Sequence, residues 1–149
     1  MPNEAPPQAP LSTEAVSRII AETFPEIHAA GRQITIESVG AREARVRLGF
    51  DPLHLRPGGT VSGPAMFTLA DFTIYVALIA TLGEAGITAV TSNLSITFLL
   101  RPEAVDVIAD ARLLRIGRRL AYAEVALYSQ GRDDMIAHAT ASYAIPSRK

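Results

Sequence analysis

The chain has 149 residues, which suits one domain with a sizeable core. Hydrophobic residues make up 48% and charged residues 19%, a balance of a globular chain and not of a disordered one. A net charge of −1 excludes a general basic field for nucleic acid or anionic lipid, and the absence of cysteine excludes disulfides, thiolate metal sites and cysteine nucleophiles.

Residues 1–10 hold four of the ten prolines, so residues 1–11 are expected to form a loose tail before a single domain at 12–149. The tail carries Glu4 and no apolar segment, so it does not read as a signal peptide. Ser12 reads as an N-cap and Thr13–Phe24 as a short helix, with Ala15, Ile19, Ile20 and Phe24 spaced for one buried face. Alternation over Gln33–Val39 and Glu43–Phe50, with Gly40 and Ala41 between, predicts a β-hairpin. A loop with Pro52, Pro57, Gly58 and Gly59 follows.

The stretch from Pro64 to Leu82 is apolar on all sides. Such a helix either spans a membrane or is wrapped inside a protein. Asp71 near its middle and the amphipathic strands elsewhere favour wrapping. Ser62 or Gly63 is the expected cap and Gly83 the stop. Four strand-like runs complete the chain: Val90–Leu100, Val105–Ile116, Leu120–Ser129 and Met135–Ile145. The order predicts an α+β fold, an antiparallel sheet curled around one long helix.

Asp71 is the residue most charged with chemical meaning. A carboxylate in so apolar a helix must be paired or hydrogen-bonded, either to fix an interface or to serve a site. The run Arg56-Pro57-Gly58-Gly59-Thr60-Val61-Ser62-Gly63-Pro64 leads into the helix N-terminus, where free N–H groups and the positive dipole end can hold a developing oxyanion. Pro64 lacks an N–H, which leaves Gly63 as the best single donor. The same run also serves as an ordinary capped turn. His28, His54 and His138 have no metal-ligand spacing, so no metal is expected, and His138 reads as structural. Phe72 and Tyr75 read as core.

The run from Gly59 to Asp71 resembles the signature of the PaaI-like hotdog thioesterases, roughly G-T-x-H-G-G-x-x-x-x-L-x-D. Further matches are Val90–Phe98 followed by Pro102, then Gly117-Arg118, then Ile136-Ala137-His138-Ala139, all in the family's order over residues 33–145. The resemblance implies a hotdog fold and hydrolysis of an acyl-CoA with no cofactor beyond the CoA of the substrate. It implies a cytoplasmic homodimer or homotetramer with sites at subunit interfaces, and neither nucleic acid nor membrane as partner. By position it makes Asp71 the nucleophile or general base, Gly63 the carbonyl-polarising N–H, and Thr91 the hydroxyl that orients water for the Asp71 of a neighbouring chain. Asn93, Ser62 and Arg56 then place water or carbonyl, and Arg118 and Arg119 meet the CoA phosphates. This chain departs from the signature in carrying Ser62 for the histidine and Pro64 for the second glycine, and Arg56 stands where relatives often have Asn or Gln. The rival expectations are a non-catalytic acyl-CoA-binding hotdog protein, in which Arg56 neutralises Asp71, and a structural oligomerisation domain.

Overall fold

The structure, a computed structural model, describes residues 9–52, 55–56 and 59–147, with only the backbone for Ala30, Gly31 and Arg56. Helix α1 covers Thr13–Thr23, and the Ser12 hydroxyl caps it by accepting from the Ala15 N–H at 3.1 Å. Val16 and Ile20 form its fully buried face, with Ile19 and Phe24 partly buried beside them. A 3-10 helix, Pro25–Gly31, follows directly. Residues 1–8 of the expected loose tail lie outside the described residues. The expectation is corrected at Leu11, whose N–H donates to the Ala80 carbonyl at 2.9 Å and whose side chain packs on the core.

Strands β1 (Ile34–Gly40) and β2 (Glu43–Leu48) make the predicted hairpin. Its two turn residues are Ala41 and Arg42, one place later than expected, because Gly40 pairs with Glu43 and Arg42 takes φ 65°. Two short strands, β3 (Leu55–Arg56) and β4 (Thr60–Val61), pair within the loop that was expected to be irregular. Helix α2 (Gly63–Leu82) begins at a Ser62 cap, whose hydroxyl accepts from the Ala65 N–H at 3.2 Å, and ends at Gly83 with φ 63°. A one-turn helix α3, Glu84–Ile87, leads into β5 (Val90–Phe98), followed by β6 (Val107–Ile116), β7 (Leu120–Ser129) and β8 (Met135–Ala144).

The main sheet is antiparallel throughout, in the order β1-β2-β6-β7-β8-β5. Its inner face presents Val46, Ala109, Ala111, Ala123, Val125, Ala139 and Ala141 to α2. Alanines on the strands let a helix of large residues (Leu69, Ile74, Leu78, Ile79) sit close to the sheet. Long and apolar enough to cross a membrane by length and composition, α2 has 67% of its most apolar window buried inside the fold. This is the hotdog arrangement: the sheet wraps the helix, and the helix is apolar all round because the surrounding layers touch it on most sides.

Candidate active site

Asp71 lies at the middle of α2, on the face it shares with Thr68 and Tyr75, three and four positions away, with Phe72 next to it in the chain. These four side chains line a cavity of about 440 Å³ together with Phe24, Phe67, Ala89, Val90, Thr91 and Tyr143, among others. Aromatic rings build its apolar wall. The Phe24 ring packs 6.3 Å from Phe72 and edge-on to Tyr75 at 6.1 Å. The Tyr75 hydroxyl donates to the Ile87 carbonyl at 2.7 Å. Phe72 is core, as expected; Tyr75 is partly buried and also walls the cavity.

The carboxylate of Asp71 is half-buried and engaged. Thr91 Oγ1 donates to Asp71 Oδ1 at 2.7 Å. Tyr143 donates to the same Oδ1 and, at 2.8 Å, to the Asp71 backbone carbonyl. Thr91 on β5 and Tyr143 on β8 are directly paired across the sheet, which brings both hydroxyls to one point beneath the helix. The phenol of Tyr143 is pushed well above the ordinary tyrosine range, first by burial and then by the negative charge of Asp71, so it stays protonated and remains a donor.

Two expectations are corrected here. Thr91, expected to serve the Asp71 of a neighbouring chain, reaches the Asp71 of its own. Asn93 does not join Thr91: an irregularity between Thr91 and Asn93 shifts the register, so Thr91 faces Tyr143 while Asn93 faces Ser142. Tyr143 belongs to the buried inner face of β8 and Ser142 to its outer face. The extra residue, Ser92, donates from its hydroxyl to the Ser142 carbonyl at 3.1 Å, and it turns Asn93 away from the cavity.

Gly63 opens α2, eight residues before Asp71. At 1.5 Å per residue the two are about 12 Å apart along the axis. Gly63 lines a different cavity, of about 730 Å³, with Thr60, Val61, Met66 and Phe98–Pro102. A Cβ on Gly63 would sit 3.3 Å from the Phe98 ring, so glycine permits that close approach. Ser62 is held as the helix cap. The side chain of Arg56 lies outside the described residues; its backbone pairs with Thr60. Arg118 and Arg119 are exposed on the β6–β7 turn, and the Arg119 carbonyl accepts from the Ile145 N–H at 2.9 Å. Leu120, the next residue, pairs with Ala144, which in turn pairs with Val90, so the arginine turn stands at the sheet end where Thr91 lies.

On the outer face, His138 Nε2 lies 3.1 Å from Glu124 Oε1, and Arg112 donates to Glu124 Oε2 at 2.8 Å. His138 is thus paired with Glu124, and among the described residues no group of acidic or histidine side chains could hold a metal ion. Tyr143 was not anticipated. Its signal was a lone large side chain with a polar tip on a strand face otherwise made of Ala137, Ala139 and Ala141.

The family model of the thioesterase superfamily matches residues 58–136, more than half of the chain and the segment that contains Gly63, Asp71 and Thr91. The chain belongs to the thioesterase superfamily. A protein from Silicibacter sp. TM1040 described as a candidate thioesterase is 38% identical, with a TM-score of 0.82, over 94% of this chain and 95% of that one. The PaaI protein of the E. coli phenylacetic acid degradation operon shares the fold at 20% identity and a TM-score of 0.76, over 91% and 94% of the two chains. So does a Streptococcus mutans protein bound to acetyl-CoA, at 22% identity and a TM-score of 0.69, over 78% and 91%. No curated protein matches the chain.

Proposed function

We propose that this superfamily member hydrolyses the thioester of an acyl-CoA, with Asp71 as its reacting carboxylate. One observation carries the reading: a carboxylate held by two hydroxyls stands at the wall of an aromatic-lined cavity that can receive an apolar acyl group. As a general base, Asp71 takes a proton from water while the water oxygen attacks the thioester carbon. The C–S bond then breaks, and the CoA thiolate recovers the proton. As a nucleophile, the carboxylate attacks the same carbon, CoA leaves as thiolate, and water cleaves the resulting anhydride. Either route puts negative charge on the carbonyl oxygen, which the Gly63 N–H at the N-terminus of α2 stabilises.

The separation of about 12 Å between Gly63 and Asp71 along one helix exceeds the reach of a single carbonyl group. The working site therefore combines Asp71 and Thr91 of one chain with Gly63 of a second, in a homodimer or a tetramer built from it. The arginines of the β6–β7 turn, Arg118 and Arg119, supply fixed positive charge for the CoA phosphates at the sheet end next to Thr91. The acetyl-CoA bound by the Streptococcus mutans protein supports CoA as the carrier.

The test is release of free thiol from short, long and aromatic acyl-CoAs, with Asp71→Asn as control. The expected result is turnover of at least one of them and a loss of at least about a hundredfold in the variant. Acyl-CoA binding without thiol release by the wild-type protein would instead establish the non-catalytic binding protein.

A further inference from the structure

Three facts meet at Asp71 Oδ1. Thr91 Oγ1 donates to it, Tyr143 donates to it, and among the described residues no donor reaches Oδ2. Tyr143 is 2% exposed, on the inner face of β8, and its hydroxyl also reaches the Asp71 backbone carbonyl. A tyrosine there has a packing role that phenylalanine fills equally well. Its hydroxyl, however, is an additional group in a buried place, and it is directed at both the side chain and the main chain of one residue.

We propose that Tyr143 is a positioning residue for Asp71: together with Thr91 it occupies Oδ1, fixes the carboxylate against α2, and leaves Oδ2 as the oxygen that meets water or the thioester carbon. The proposal rests on the reading of Asp71 as the reacting carboxylate. The bond to the Asp71 carbonyl ties β8 to the α2 backbone, and the bond to Oδ1 holds the side-chain torsion. A reacting oxygen must be held within a fraction of an ångström to be effective, and one phenol in the core provides two of the restraints.

Tyr143→Phe keeps the ring and removes the hydroxyl. Its kcat and KM for thiol release, measured beside those of wild type, Asp71→Asn and the double variant, test the proposal. The kcat should fall on the order of tenfold with KM little changed, as for an interaction that matters in the transition state. The double variant should be no slower than Asp71→Asn alone. An unchanged kcat in a folded, active Tyr143→Phe protein overturns the proposal and leaves the thioesterase reading intact. Wild-type turnover by Asp71→Asn removes that reading and this proposal with it. If Tyr143→Phe does not fold, 3-fluorotyrosine at position 143 keeps the shape and strengthens the donor. The kcat should then be no lower than that of wild type, and a loss of about tenfold there overturns the proposal.

Discussion

At the scale of residues, the site is an arrangement of donors around one carboxylate. Thr91 supplies one of the two hydrogen bonds to Asp71 Oδ1. Thr91→Val is nearly isosteric and removes the hydroxyl, so the carboxylate loses one of its two side-chain donors. Thiol release is expected to fall several-fold, and Thr91→Ser is expected to restore it. Turnover of the three proteins checks this, and equal rates for valine and threonine contradict it. Asp71 was legible in the sequence because a carboxylate in a helix whose other polar members are three threonines and a tyrosine demands an explanation. Tyr143 was not, because its partner is 72 positions away and only the strand pairing brings them together. Arg56, the most conspicuous departure from the family signature, has no described side chain on which a role could be argued.

At the scale of elements, the long helix and its caps were readable because local chemistry dictates them. Ser62 at the cap and Gly83 at the stop act within four residues of their own positions. Ser62→Ala removes the acceptor for the Ala65 N–H and is expected to cost about 1 kcal/mol. Chemical denaturation of the variant measures it, and an unchanged midpoint contradicts the cap. The irregularities in β1, β5, β6 and β8 were not readable, because they depend on what the neighbouring strand offers. The one in β5 matters most, since it separates Thr91 from Asn93. The outer face of the sheet adds a pH dependence. Glu124 is held below the ordinary carboxylate range, first by its hydrogen bond from Arg112 and then by His138. A depressed carboxyl stabilises the fold above its unfolded pKa, and the contribution is lost as pH falls through its folded pKa. Glu124→Gln is therefore expected to be less stable than wild type at neutral pH, by no more than about 1 kcal/mol since the pair is partly exposed. The gap should close in acid. Thermal unfolding of both proteins between pH 3 and pH 7, as a rough span, follows it; a gap that persists undiminished at the acid end rules out this source of stability.

At the scale of the molecule, the unfinished side is the β5 edge. That strand ends the sheet, and its outer row of backbone groups has no strand beside it among the described residues. Soluble proteins cover or pair such edges. The chain continues from β5 into Leu99 and Leu100, and Phe98, Leu99 and Leu100 are 51%, 55% and 49% exposed. All three line the cavity of Gly63, so the apolar surface and the proposed oxyanion donor belong to one region. A second copy docked there would cover the leucines and bring its own Asp71 toward Gly63, which one chain alone cannot do across about 12 Å. Leu99→Asp with Leu100→Asp places two charges on surface that is already half exposed in the single chain, so the monomer fold should survive. Buried between two chains, the same charges would be unpaired and costly, on the order of several kcal/mol each. Light scattering is expected to show wild type above 15.9 kDa and the double variant at that mass. Circular dichroism should be unchanged, and thiol release should be lost together with the association. A folded monomer that still turns over acyl-CoA at the wild-type rate would place the whole reaction within one chain and remove Gly63 of the second from it.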